Sequence, residues 1–202
     1  MNASMSGRGL RQIARWLSKN PLEIVLVLVY HRVVKVLSDP WSLAVTPEHF
    51  AEHLEASRQH AVPLRLQQLS RALAKGPILS RRSVVVTFDD GYADNLYNAK
   101  PLLQRYDVPA TIFLPSGFIG SEGGCWWDEL DRLLLQPGRL PKHLRLSFNG
   151  KTRRWQLAEA ARYPRAELRR HRRWRASEDA PTPRHSIYKS LWRLLHRSAD
   201  EE

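Results

Sequence analysis

Ser83-Val84-Val85-Val86-Thr87-Phe88-Asp89-Asp90-Gly91-Tyr92 is the stretch on which the reading of this chain turns. A run of β-branched and aromatic residues stops at two adjacent carboxylates and a glycine. That is the pattern of a buried strand ending at the lip of a site. Neighbours on a regular strand point to opposite faces, so Asp89 and Asp90 can share a pocket only where the strand ends. Gly91 supplies the backbone freedom for such a turn. Two carboxylates held together do not titrate independently unless a cation or a polar network lies between them. A divalent ion bound by one, with the other acting as a base, meets that condition. The plain alternative is a solvated Asp-Asp-Gly turn.

Outward from this stretch, strand and helix patterns alternate. Ile24 to Tyr30 reads as a buried apolar strand; it is far shorter than the ~20 residues a membrane-spanning helix needs. No small-residue cleavage site precedes His31-Arg32, so it does not read as a signal peptide either. His31 stands at the end of this strand, within reach of the pocket as a ligand or packed as a core histidine. Thr46 caps a helix with Pro47 in its first turn, and Phe50 and Leu54 form its apolar face. His49 and His53 sit four residues apart on that helix, a spacing that can hold a metal, but both read as facing solvent. Leu64 to Ala74 forms the next helix, stopped by Gly76-Pro77. Asn95 to Arg105 forms another, followed by a strand over Val108 to Leu114. This alternation predicts an α/β fold with a mainly parallel sheet. Trp126-Trp127-Asp128-Glu129-Leu130 then opens a helix ending near Gln136-Pro137-Gly138, its tryptophans able to stack on a sugar ring or to cap a core.

Thr87-Phe88-Asp89-Asp90-Gly91 after a hydrophobic strand resembles the first motif of the polysaccharide deacetylases, the NodB-homology domain. Val29-Tyr30-His31-Arg32-Val33 resembles that family's first barrel strand, and Val45-Thr46-Pro47-Glu48-His49-Phe50 the start of its next helix. Pro109-Ala110-Thr111-Ile112-Phe113-Leu114 resembles the strand after the motif helix. The resemblance implies a partial distorted β/α barrel and a metal-dependent hydrolase that removes N-acetyl groups from a sugar or polysaccharide. It makes Asp89 the general base and Asp90 a ligand to a divalent metal such as zinc, with His31 as a further candidate ligand. The family's metal lowers the pKa of its water towards ~7. Tyr92, Trp126 and Trp127 become candidate substrate contacts.

The chain also departs from the family. The family completes its metal site with a His-(Ser/Thr)-x-x-x-His motif on a later strand, and none follows residue 114. His143, His171, His185 and His196 are too widely spaced to form it. Arg162-Tyr163-Pro164 and Leu195-His196 carry only fragments of the later motifs. The expectation is therefore the N-terminal part of the domain, with an incomplete ligand set and little activity of its own. Two alternatives stand beside it: a non-catalytic remnant, or half of a split enzyme whose partner is the missing C-terminal half.

With 202 residues and 43% hydrophobic content, the chain is long enough to build a core. Its single cysteine, Cys125, excludes an internal disulfide framework. A net charge of +12 favours acidic partners: nucleic acid, anionic lipid or acidic polysaccharide. Leu10, Ile13, Ala14 and Leu17 recur at helical spacing among Arg8, Arg11, Arg15 and Lys19. They make residues 1–21 a basic amphipathic segment able to rest on a membrane surface. Residues 22–138 read as the deacetylase-like domain and 139–202 as an arginine-rich excursion within it. That excursion opens with a hairpin turning at Asn149-Gly150. Arg162 to Arg175, dense in arginine with aromatics interleaved, then reads as a solvated helix or inserted excursion, with a basic nucleic-acid-binding protein as a third alternative function. Ile187, Leu191, Leu194 and Leu195 mark a last helix. With no signal peptide and no membrane span, the expected location is cytoplasmic or membrane-peripheral.

Overall fold

The computed structural model describes residues 25–75, 82–120, 124–148 and 150–199. The basic N-terminal segment and the Gly76-Pro77 stop lie outside them. Among the described residues no helix is long and apolar enough to cross a membrane. The chain divides into two compact units, Met1–Val36 with Ser42–Ile119, and Leu37–Trp41 with Gly120–Glu202.

The first unit is α/β. In chain order it holds β1 (Val25–Tyr30), β2 (Arg32–Val33), β3 (Ala44–Val45), α1 (Pro47–His60), β4 (Val62–Pro63), α2 (Leu66–Lys75), β5 (Ser83–Phe88), α3 (Lys100–Arg105) and β6 (Ala110–Ile112). All six residues of β5 are buried, as the uninterrupted Val-Val-Val run requires of a central parallel strand. β1 runs parallel along its whole length, from Val25 opposite Ser83 to Tyr30 opposite Phe88. β4 and β6 also pair with β5 in parallel, β4 at Ser83 and Val84, β6 at Val86 to Phe88. The core beneath them gathers Val33, Phe50, Leu54, Val86, Phe88, Ala99, Leu103 and Val108.

Local signals set the helix ends. Thr46 Oγ1 accepts from the His49 amide at 3.3 Å, and Pro47 follows the cap, as expected. His53 departs from the sequence reading. It is buried, not solvent-facing, and its Nδ1 lies 2.9 Å from the Tyr30 hydroxyl. The apolar stripe through Phe50 and Leu54 is wide enough to take in position 53, and the phenol meets the polarity of the ring. The turn leading into α3, Asn95–Ala99, is wound as a π-helix. The strand expected from Val108 begins only at Ala110, because the Val108 amide donates back to Leu103 O at 3.0 Å. Asp107, left-handed at φ +51°, makes that helix-ending turn.

The second unit holds α4 (Trp126–Leu135), β7 (Gly138–Arg139), β8 (His143–Phe148), β9 (Lys151–Gln156), β10 (Arg162–Tyr163), α5 (Arg165–His171) and α6 (Pro183–Ala199). β8 and β9 form the antiparallel hairpin expected around Asn149-Gly150, with Phe148 opposite Lys151 and Gly150 at φ +71°. β7 pairs antiparallel with β10, a contact too short to leave any periodicity in the sequence. Leu130, Leu134, Leu135, Leu157, Trp174, Ile187 and Tyr188 form the core. Trp41, in the loop between β2 and β3, belongs to this unit. Its indole N–H donates to Tyr188 Oη at 2.7 Å, and its ring lies 4.1 Å from that of Trp192.

Candidate active site

β1 and β5 end side by side, and each runs directly into a titratable residue. The Asp89 amide donates to Tyr30 O at 2.9 Å, extending the ladder by one rung past β5. His31 is the bend between β1 and β2, and its Nε2 lies 3.9 Å from Asp89 Oδ2. The Asp89 side chain is 42% exposed and that of His31 20%, so this pair opens to solvent at the C-terminal ends of the strands. Open parallel sheets present their ligand sites at that end.

The chain turns at once after Asp89. Asp90 and Gly91 are both left-handed, at φ +68° and +60°. Aspartate tolerates that region better than most residues, and sparsely populated backbone of this kind collects at functional sites. A Cβ on Gly91 would collide with Leu114 Cδ2. The leucine tip is exposed and can move aside, so the backbone angle decides the cost. Gly91→Ala is expected to lose about 1–2 kcal/mol, the penalty of a left-handed L-residue. Urea unfolding of the two proteins measures it, and equal midpoints would show that the turn relaxes freely.

A second set of contacts fixes this arrangement, and sequence reasoning missed it. Asp94 accepts from Arg32 Nε at 3.1 Å and from the Val33 amide at 2.8 Å. Asn98 Nδ2 donates to Val33 O at 2.8 Å. His31 is thus held on both sides, by the Tyr30 carbonyl before it and the Asp94 clamp after it. The Arg32 guanidinium also stands 4.5 Å from the centre of the Tyr92 ring. Tyr92, a candidate substrate contact, is therefore steered by a residue adjacent to His31. The one sequence signal for the clamp was an acidic residue in the turn after the motif, opposite an arginine. Behind the site, burial pushes the Tyr30 phenol far above its ordinary pKa. Burial also lowers the pKa of its partner His53, so this pair is neutral packing rather than acid–base machinery.

Trp126 and Trp127 lie in the second unit. Trp126 packs against its core, 6.1 Å from Trp192 and 5.4 Å from Trp127 between ring centres. A catalytic zinc takes three protein ligands and keeps one position open. Among the described residues no group of three histidine, cysteine, aspartate or glutamate side chains is disposed to hold an ion. His31, Asp89 and Asp90 as placed do not fit a resident metal by themselves.

Residues 77–144 match the polysaccharide deacetylase family. The match to the family is confined to this segment of the chain. The segment contains the Asp89-Asp90-Gly91 turn and continues through α4. YxkH of Bacillus subtilis, named for the polysaccharide deacetylases, is 28% identical over 149 residues, covering 72% of this chain and 52% of its own. The poly-beta-1,6-N-acetyl-D-glucosamine N-deacetylase of Staphylococcus epidermidis is 36% identical over 109 residues, 48% of this chain and 37% of its own. The chain thus spans about half or less of the length of these curated relatives. Among solved structures, IcaB from Ammonifex degensii aligns with TM-score 0.45 at 27% identity, over 55% of this chain and 48% of that one. The Streptococcus pyogenes deacetylase PplD aligns with TM-score 0.44 at 23% identity, over 56% and 53%.

Proposed function

We propose that this chain supplies the aspartate-bearing part of a hydrolase that removes N-acetyl groups from a glycan. The observation that carries the reading is the His31–Asp89 pair beside the left-handed Asp90-Gly91 turn, with Asp89, Asp90 and Gly91 inside the matched segment. Asp89 is the general base. Its carboxylate takes a proton from the attacking water and returns it to the departing amine, leaving acetate and a free amino sugar. His31, within reach of the same carboxylate, orients it. Tyr92, held by Arg32, lies where a sugar ring could stack. Poly-N-acetylglucosamine is the first substrate to test, because the Staphylococcus epidermidis relative is named for it.

The site is also proposed to be incomplete in this chain. Asp90 stands as one candidate donor towards a divalent ion, and the described residues supply no full ligand set for one. Support comes from the sheet itself. Parallel sheets are normally covered on both faces, yet Val27 and Val29 of β1 are exposed, as are Ile112, Phe113 and Leu114 beyond β5. Such a surface suits a protein in which further elements pack on this sheet.

The test uses the purified full chain with added zinc and an N-acetylated oligoglucosamine. Acetate release is expected to be slow and zinc substoichiometric. Asp89→Asn is expected to lower the residual rate by about 100-fold or more, the usual worth of a general base. An unchanged rate in Asp89→Asn would overturn the role of Asp89. One tightly held zinc per chain would overturn the incomplete site.

A further inference from the structure

In the second unit, Arg153 on β9 faces Lys189 and Arg193 on α6 across a groove of about 500 Å³, and Ser186 and Ser190 add two hydroxyls to its wall. The four α6 positions fall three and four residues apart, so they share one helical face. Lys189 is pinned there, its Nζ donating to Glu178 O at 2.6 Å. No carboxylate lines the groove, and among the described residues none of the three cations forms an ion pair. Lys189 and Arg193, four apart, repel each other along the helix, and Arg153 adds a third positive charge from the strand. Such a convergence is costly unless an anion occupies it.

We infer that this groove binds a phosphate group carried on a larger molecule. A tetrahedral phosphate offers acceptor oxygens enough for two guanidinium forks, one ammonium and two hydroxyls, and its charge matches theirs better than a single carboxylate would. The groove exceeds the size of a bare phosphate, leaving space for the sugar or glycerol that bears it. The site stands apart from the deacetylase reading and does not depend on it.

The experiment compares the full-length wild type with the Arg153→Gln/Arg193→Gln double variant, both checked for native circular dichroism. Inorganic phosphate is added at constant ionic strength against chloride. The wild type is expected to gain several degrees in Tm with phosphate, and the variant at least tenfold less apparent affinity. Without phosphate the variant is expected to melt higher, because the repulsion has gone. No phosphate shift in the wild type, or the same shift in both proteins, would overturn the inference. Glucose 6-phosphate and phosphatidylglycerol vesicles, with phosphatidylcholine vesicles as control, then separate the sources. Vesicle binding lost in the variant identifies a lipid headgroup. Sugar-phosphate binding without vesicle binding identifies a soluble ligand.

Discussion

Replacing Phe88 with alanine is expected to cost the first unit about 3–5 kcal/mol, the usual loss on truncating a fully buried phenylalanine. Phe88 is the last residue of β5 and has no exposed surface. Its ring lies 5.6 Å from Tyr30 and 5.8 Å from Phe50, centre to centre, so removing it breaks two aromatic contacts and opens a cavity. Its carbonyl accepts from the Phe113 amide at 2.8 Å, which ties β6 to the same strand end. Hydrogen exchange at the amides of Val84, Val85 and Val86 reads this loss where it occurs. Protection there should fall roughly a hundredfold to several thousandfold. Phe88→Leu, which leaves a smaller void, should fall between the variant and the wild type. Unchanged protection in Phe88→Ala would show that these rings do not hold the strand. The consequence reaches the site, because Phe88 immediately precedes Asp89.

That coupling explains why so much of the first unit was legible in the chain. The Val84-Val85-Val86 run encodes burial on both faces, and the Asp-Asp-Gly stop encodes the strand end. Thr46-Pro47 encodes the start of α1, the threonine by its cap hydrogen bond and the proline by its fixed φ. Each is a local signal whose physical cause acts within a few residues. The long-range features were not legible. That β1 pairs with β5 across nearly sixty intervening positions follows from the topology of a parallel sheet, not from periodicity. The burial of His53 depends on where Tyr30 arrives, and nothing near position 53 specifies it.

The same division holds at the site. Asp89, Asp90 and Gly91 could be named because adjacent carboxylates at a strand end are rare and chemically demanding. Asp94 escaped notice because its partners, Arg32 and the Val33 amide, lie about sixty residues upstream. The second unit was harder still. Its core draws Trp41 from a loop of the first half of the chain, and two-residue strands such as β7 and β10 carry no pattern. The arginine density at 162–175 drew attention to charge there, whereas the organising residues are the buried Tyr163, Trp174, Arg184 and His185.

Acid is expected to loosen the second unit well above the pH at which carboxylates protonate. His185 is buried, and burial first, then His171 and Arg184 nearby, lowers its pKa from 6.5 to about 4. Its neighbours are set for the neutral ring. Thr182 Oγ1 lies 2.7 Å from Nδ1, the Tyr163 hydroxyl 3.5 Å from Nε2, and the Trp174 ring 4.6 Å away between centres. Glu167 is the one carboxylate in the cluster, and it pairs with His171 at 3.1 Å rather than with His185. A histidine whose folded pKa lies below its unfolded one contributes stability that is complete above pH 6.5. That contribution is lost as pH falls towards 4, because the unfolded chain takes up the proton first. A shift of this size is worth roughly 3 kcal/mol. Urea midpoints followed by tryptophan fluorescence report this unit, since every tryptophan among the described residues belongs to it. They should drop steadily between pH 7 and pH 4.5 in the wild type. His53, also lowered by burial, acts with the same sign in the first unit, so His185→Gln provides the separation. The variant should start less stable at pH 7 and lose little more on acidification. An equally steep decline in the variant would place the acid sensitivity elsewhere, and a flat wild-type profile would mean that His185 takes up its proton without disturbing the core.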